Sequence, residues 1–210
     1  MEKLIHIQEA QVVLEGWLKV PDGAEGLVLF AHGSGSSRFS PRNNFVADVL
    51  NKGGLATLLI DLLSKKEDEI YQTRFNIELL NTRLRMVIDW LIKEPETIKL
   101  PIGLFGSSTG AAAALYVASI FGDEIKAVVS RGGRPDLAMP VLRKVKAPTL
   151  FIVGGDDFGV IGLNEEAYEK LTCLKSFEII PNATHLFEEP GCLEEVARKA
   201  KDWFKKYLLP

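Results

Sequence analysis

The stretch that decides the fold is Leu104-Phe105-Gly106-Ser107-Ser108-Thr109-Gly110-Ala111-Ala112-Ala113-Ala114. It joins an apolar run to a Gly-x-Ser-x-Gly turn and then to an alanine-rich helix former. A strand, a tight turn and a helix in this order hold a serine hydroxyl exposed at the end of a sheet, as a nucleophile elbow does. Only Ser108 has glycine two positions away on either side, so it is the candidate nucleophile. The alternative is a plain turn in which the serine caps the helix.

Length and composition set the broad class. The chain has 210 residues, 47% of them hydrophobic, and a formal net charge of −3, so we expect a single domain over residues 1–210. Nothing in this charge favours nucleic acid or an anionic membrane as a partner, and the sequence shows no membrane-length apolar run and no signal-peptide pattern. Two cysteines, Cys173 and Cys192, make a poor disulfide framework, so we expect reduced thiols and a cytoplasmic location.

Strand and helix patterns alternate from residue 26 onward. Residues 4–20 alternate as two edge strands do, and short apolar runs predict further strands at 26–31, 55–60, 102–105, 125–130, 147–153 and 176–180. Helices are predicted at 43–52, 68–93, 109–121, 164–171 and 192–207. This order predicts an α/β fold, a mostly parallel sheet of about eight strands with helices on both faces. About sixteen residues between the strands at 130 and 147 leave no room for a large cap domain.

The loop after the first buried strand reads His32-Gly33-Ser34-Gly35-Ser36-Ser37-Arg38. Arg38 stands where a dinucleotide fingerprint needs glycine, and no Gly-Lys-Ser/Thr follows, so both nucleotide-binding motifs fail. We interpret the segment as the loop that supplies an oxyanion-hole donor, the N–H of Ser34, opposite the N–H of Thr109. His32 then braces the loop. The alternative is a loop without a functional role.

Serine, aspartate and histidine follow the fifth, seventh and eighth predicted strands. That is the chain order of the α/β-hydrolase architecture, in which a histidine activates the serine and an aspartate orients the histidine. His185 is the one histidine in a suitable place, the alternative being a loop histidine that caps the next helix. Asp156 and Asp157 both follow the seventh strand, and turn chemistry favours Asp157 as the acid and Asp156 as a brace of the turn.

These motifs resemble those of small α/β-hydrolases of the dienelactone-hydrolase-like group, including hydrolase modules found fused to phosphoribosyltransferases. The resemblance covers nearly the whole chain and rests on four segments: 32–38, 106–110, 153–157 and 183–191. It implies that the acid is the last residue of Gly-Gly-x-Asp, again Asp157. True dienelactone hydrolases use a cysteine nucleophile, so Ser108 at the matching position favours simple esters over lactones.

The sequence therefore predicts a serine esterase with an open site for small or short-chain esters, and neither a cofactor nor a metal. We expect a monomer or a small homo-oligomer that does not bind nucleic acid or membranes. Arg38 and Arg131 are expected near the mouth, where they either bind an anionic group of the substrate or form ordinary ion pairs. A peptidase or acyltransferase with the same triad, and a non-catalytic binding module on this scaffold, remain the alternatives.

Overall fold

The strands in the middle of the sheet are buried along almost their whole length, because helices cover both of their faces. The computed structural model describes residues 1–209 and contains one eight-stranded sheet in the order β1-β2-β4-β3-β5-β6-β7-β8. Its strands are β1 (Glu2–Glu9), β2 (Val12–Lys19), β3 (Leu27–Ala31), β4 (Ala56–Ile60), β5 (Ile102–Ser107), β6 (Ile125–Arg131), β7 (Thr149–Gly154) and β8 (Lys175–Ile180). Strand β2 runs antiparallel to both of its neighbours, β1 and β4, and the other five strand pairs of the sheet are parallel. The predicted α/β architecture and strand count are confirmed.

Helices pack on the two faces of this sheet. Helix α1 (Pro41–Lys52) and helix α6 (Cys192–Leu208) share one apolar cluster, which includes Leu50 and Phe204. Helices α3 (Ile77–Leu91), α4 (Thr109–Phe121) and α5 (Phe158–Lys170) contribute to the opposite cluster. The connection from β6 to β7 holds only a 3-10 helix, Pro135–Lys144, so no cap domain is inserted between these two strands.

The longest predicted helix, residues 68–93, is wrong in its first third. A short helix α2 (Lys65–Asp68) and a 3-10 turn (Tyr71–Phe75) occupy this region, and α3 begins only at Ile77. The boundary is set by Asn76, whose side chain accepts a hydrogen bond from the N–H of Leu79. Side-chain caps of this kind end and restart helices without disturbing the apolar spacing of the sequence. Helix α5 likewise begins at Phe158, before the predicted position 164.

The carboxyl ends of the parallel strands lie along one edge of the sheet. The loop that follows β3 contains Ser34, and Ser108 follows β5 directly. The segment after Arg131 follows β6, Asp157 follows β7, and the loop after β8 contains His185. In sheets of this kind, ligands bind beyond these strand ends. The topology therefore places every candidate residue on the same side of the molecule.

Candidate active site at the carboxyl ends of the strands

Ser108 sits on a strained turn between β5 and α4. Its backbone has φ 50° and ψ −123°, a conformation that residues with a side chain rarely adopt. The flanking glycines permit the turn, because a Cβ on Gly106 would lie 2.4 Å from Cα of Ala111, and one on Gly110 would lie 2.1 Å from the carbonyl oxygen of Ala31. The Ser108 side chain makes no capping hydrogen bond, so the simple N-cap alternative does not describe it. Its hydroxyl is available for other chemistry.

The glycine-rich loop after β3 packs directly against this turn. A Cβ on Gly33 would approach Cβ of Ser108 to 2.9 Å. The N–H of Ser34 donates to Oγ1 of Thr109 at 2.9 Å. The N–H of Thr109, in the first turn of α4, has no hydrogen-bond partner within residues 1–209, as is usual at a helix N-terminus. The two expected oxyanion donors are therefore neighbours. The N–H of Thr109 is free within residues 1–209, and the N–H of Ser34 is bonded to the hydroxyl of Thr109.

A short chain of hydroxyl groups continues from these donors. The hydroxyl of Ser34 donates to the carbonyl oxygen of Arg74 at 2.7 Å and lies 3.0 Å from Oγ1 of Thr109. Since the Ser34 proton goes to the carbonyl, the Thr109 proton goes to Oγ of Ser34. The sequence does not predict this contact, because its pattern indicates one long helix over residues 68–93 with Arg74 inside it.

His32 lies buried behind the same loop. Its Nε2 accepts a hydrogen bond from the N–H of Leu62 at 3.0 Å, so its Nδ1 carries the proton and donates to the carbonyl oxygen of Gly33 at 2.9 Å. Burial lowers the pKa of His32, which keeps the ring neutral. These contacts give His32 the bracing role that was expected of it.

His185 and one of the two aspartates form a hydrogen-bonded pair. Nδ1 of His185 lies 2.7 Å from Oδ2 of Asp157. The Asp157 side chain is mostly buried, whereas the ring of His185 is about one-third open to solvent. Asp156 is exposed, and its N–H braces the neighbouring loop by donating to the carbonyl oxygen of Ala183 at 2.9 Å. Of the two aspartates left open by the sequence, Asp157 is the one that contacts the histidine.

The segment after β6 contacts both Ser108 and His185. The N–H of Ser108 donates to the carbonyl oxygen of Arg131 at 3.3 Å, and the N–H of Arg134 donates to the carbonyl oxygen of Ser108 at 3.0 Å. Between these two residues, a Cβ on Gly132 would lie 3.5 Å from Nδ1 of His185. The serine and the histidine are therefore on either side of one short loop. No hydrogen bond joins their side chains within residues 1–209, and such contacts often tighten only when substrate binds.

The two arginines expected at the mouth have little exposed side chain. Arg38 pairs with Asp61 and with Glu15, the latter at 2.8 Å, and its side chain is only 10% exposed. This arrangement corresponds to the ion-pair alternative. Arg131 is buried, with 6% of its surface exposed, and its Nη2 donates to Oδ1 of Asn43 at 3.4 Å. The expectation that both guanidinium groups line the mouth is corrected, because their partners belong to the body of the fold.

Two absences within residues 1–209 describe the wider setting of this site. No group of three or more histidine, cysteine, aspartate or glutamate side chains is arranged to hold a metal ion. In the same residues, no helix has the length and apolar character needed to cross a lipid bilayer.

Comparison with known proteins places the chain in a family. The model of the dienelactone hydrolase family matches residues 40–208. The chain is 54% identical to a dienelactone hydrolase from Anabaena variabilis, with a TM-score of 0.96 over 99% of this chain and 98% of that one. A lidless α/β serine hydrolase from Xanthomonas campestris shares the fold, at 16% identity, with a TM-score of 0.79 over 99% of this chain and 95% of that one.

The chain also resembles part of a longer protein. A Mycobacterium tuberculosis protein named "Putative phosphoribosyl transferase" is 52% identical over an alignment of 206 positions, which covers 96% of this chain and 46% of that protein. The chain thus spans about half the length of the curated relatives it matches. Together with the family match and the dienelactone hydrolase structure, these relations show that the chain belongs to the dienelactone hydrolase family.

Proposed function

We propose that this hydrolase cleaves small or short-chain carboxylic esters with Ser108 as nucleophile, His185 as general base and Asp157 as the orienting acid. The observation that carries the proposal is the 2.7 Å contact between His185 and Asp157 on the loops next to the strained Ser108 turn. A nucleophile, a base and a group that orients the base are the three parts that serine hydrolysis needs. All three follow the carboxyl ends of strands on one edge of the sheet: β5, β7 and β8.

In the proposed reaction, Oγ of Ser108 attacks the ester carbonyl while Nε2 of His185 takes the hydroxyl proton. Asp157 holds the Nδ1 proton of the ring and stabilises the imidazolium that forms. The imidazolium then gives its proton to the departing alcohol, which leaves an acyl group on Ser108. Water, activated by His185, hydrolyses this acyl-enzyme and restores the free serine.

The negative oxygen of each tetrahedral intermediate would lie between the N–H groups of Thr109 and Ser34. The Ser34 N–H is bonded to Oγ1 of Thr109 in the free chain, so the oxyanion replaces that hydroxyl as acceptor. A charged acceptor forms the stronger hydrogen bond. This exchange favours the transition state over the resting site, which is the condition for catalysis.

The surroundings of the site favour small esters. The β6–β7 connection contributes only the Pro135–Lys144 3-10 helix, so this connection does not build a deep channel for a long acyl chain. Two exposed apolar side chains, Phe158 and Leu186, directly follow Asp157 and His185 in sequence. We expect these two side chains to contact the acyl group of the substrate. The free thiols Cys173 and Cys192 support the expected cytoplasmic location, where thiols stay reduced.

The test is hydrolysis of p-nitrophenyl esters from acetate to decanoate by the wild-type chain and by Ser108→Ala. We expect turnover that is greatest for the short esters and absent in the variant. A fluorophosphonate probe should label the wild type and the neighbouring variant Ser107→Ala, but not Ser108→Ala. Folded wild-type protein that neither turns over esters nor takes the label would contradict the proposal and favour a binding module.

A further inference from the structure

The hydroxyl of Thr109 lies next to both expected oxyanion donors. Thr109 is buried, with 3% of its surface exposed, and its Oγ1 is 2.9 Å from the backbone nitrogen of Ser34. The other donor is the N–H of Thr109 itself, which has no partner within residues 1–209. An atom that accepts from both N–H groups must therefore also approach this hydroxyl.

The proton of the Thr109 hydroxyl has a defined acceptor in the free chain. It points to Oγ of Ser34, 3.0 Å away, because the Ser34 proton is donated to the carbonyl oxygen of Arg74 at 2.7 Å. The Arg74 side chain anchors this carbonyl, since its Nε donates to the carbonyl oxygen of Asp68 at 2.6 Å and lies 3.0 Å from the Asp68 carboxylate. Arg74 thus holds the Ser34 proton away from Oγ1 of Thr109, which leaves the Thr109 proton as the one that can turn.

A negative oxygen in the hole changes the best acceptor for that proton. In the proposed reaction the oxyanion takes over the Ser34 N–H, so it lies close to Oγ1 of Thr109. If the hydroxyl did not turn, a lone pair of Oγ1 would face the charged oxygen and repel it. If it turns, it exchanges a neutral acceptor for an ionised one, and hydrogen bonds to ionised acceptors are roughly twice as strong. Oγ of Ser34 keeps its bond to Arg74 and is partly exposed to water.

We propose that the Thr109 hydroxyl is a third donor of the oxyanion hole. It donates to Ser34 in the free chain and to the oxyanion in each tetrahedral intermediate, and it keeps its own proton throughout. Thr109 then acts as a catalytic residue through its side chain as well as its N–H, while Ser34 Oγ and Arg74 set the direction of the hydroxyl. This inference rests on the proposed esterase function.

The kinetic test compares Thr109→Val, which removes the hydroxyl at nearly constant shape, with Thr109→Ser, which keeps it. With p-nitrophenyl acetate, we expect kcat of Thr109→Val to fall about 100-fold while KM changes less than about threefold, because an oxyanion donor acts in the transition state. Thr109→Ser should stay within about fivefold of wild type, since its hydroxyl can donate in the same way.

The matched control is Thr149→Val. Thr149 is also buried, and its hydroxyl donates to the carbonyl oxygen of Ala147 at 2.9 Å. It lies at the opposite end of β7 from Asp157, so this variant should keep kcat within about threefold of wild type. Unfolding midpoints of all variants separate kinetic effects from loss of structure, and Thr109→Ala replaces Thr109→Val if the latter does not fold.

A hydroxyl that only blocks the hole would give the opposite result. Oγ1 of Thr109 holds the Ser34 N–H in the free chain, so removing a blocking hydroxyl would speed the reaction. Turnover by Thr109→Val that equals or exceeds that of wild type would therefore overturn the proposal. A loss in Thr109→Ser as large as that in Thr109→Val would do the same.

A hydroxyl that only braces the loop through Ser34 Oγ is distinguished by a double-mutant cycle. Ser34→Ala removes the oxygen to which Thr109 donates in the free chain and leaves the Ser34 N–H in place. Direct donation to the oxyanion predicts that Thr109→Val lowers kcat about 100-fold in this background as well. Disappearance of the effect would overturn the proposal and assign the hydroxyl to bracing.

A transition-state analogue separates this inference from the esterase proposal. In 2,2,2-trifluoroacetophenone, Oγ of Ser108 adds to the carbonyl carbon while His185 takes the hydroxyl proton, and the carbonyl oxygen becomes the oxyanion. ¹⁹F NMR measures the dissociation constant of this adduct without turnover, and we expect it to rise about 100-fold in Thr109→Val but not in Thr149→Val.

The outcomes of the analogue experiment are distinct. The expected loss of affinity in a protein that hydrolyses no ester would keep the third donor and reject the ester substrate. Equal affinity of wild type and Thr109→Val would overturn the third donor and leave ester hydrolysis to its own test. Folded wild-type protein that forms no adduct would overturn both proposals.

Discussion

Replacing Asp157 by asparagine tests the proposed chemistry most directly. The carboxylate of Asp157 is 12% exposed and lies 2.7 Å from Nδ1 of His185. With the charge centres about 4 Å apart and an effective dielectric constant near 20, imidazolium and carboxylate attract by about 4 kcal/mol. This attraction exists only after His185 takes the proton of Ser108, so its loss raises the barrier and leaves the resting state almost unchanged. We expect kcat/KM to fall about 1,000-fold.

The matched control is Asp156→Asn, which removes the same charge one residue away. Asp156 is exposed and contacts the His185 loop through its backbone N–H, so we expect its kcat/KM to stay within about threefold of wild type. Initial rates with p-nitrophenyl acetate, together with unfolding midpoints, separate catalysis from folding. The reasoning is refuted if both variants lose activity equally, or if folded Asp157→Asn retains more than about a tenth of the activity.

Three further predictions concern stability. Ser108→Gly relieves the positive φ and should raise the free energy of unfolding by about 1 kcal/mol in urea titrations, whereas Ser108→Ala, which keeps the strain, should not. Gly110→Ala places a Cβ 2.1 Å from a carbonyl oxygen and should lower the free energy of unfolding by more than about 3 kcal/mol. Gly162→Ala places its Cβ in open space inside α5 and should raise the free energy of unfolding by about 1 kcal/mol. Similar changes in the two variants would contradict the packing argument. The lowered pKa of His32 means that below pH 6.5 the unfolded chain binds a proton that the folded chain does not. Stability should therefore fall with decreasing pH by up to about 1.4 kcal/mol per unit, and His32→Gln should flatten this dependence in urea titrations between pH 7.5 and 5.

Much of the fold follows from local patterns. The glycines at 106 and 110 and the apolar run before them predict the turn at Ser108, because only glycine tolerates such close backbone contacts. The apolar strands predict burial between helices, and their order predicts which strand ends share an edge. The beginning of α3 did not follow from the pattern, because the side chain of Asn76 starts a new helix inside a continuous apolar repeat.

The sequence by itself therefore determined the architecture, the candidate nucleophile and histidine, and the resemblance to the dienelactone hydrolase family. Periodicity and glycine spacing act over a few residues, so they can be read without three-dimensional contacts. Only the tertiary structure decided which aspartate meets His185, 28 residues away, and that the Ser34 N–H is bonded to Thr109, 75 residues away. Only the tertiary structure also showed that Arg38 forms an ion pair and that Arg131 is buried. Each of these outcomes depends on the direction of a side chain relative to a distant segment, and such directions are set by packing.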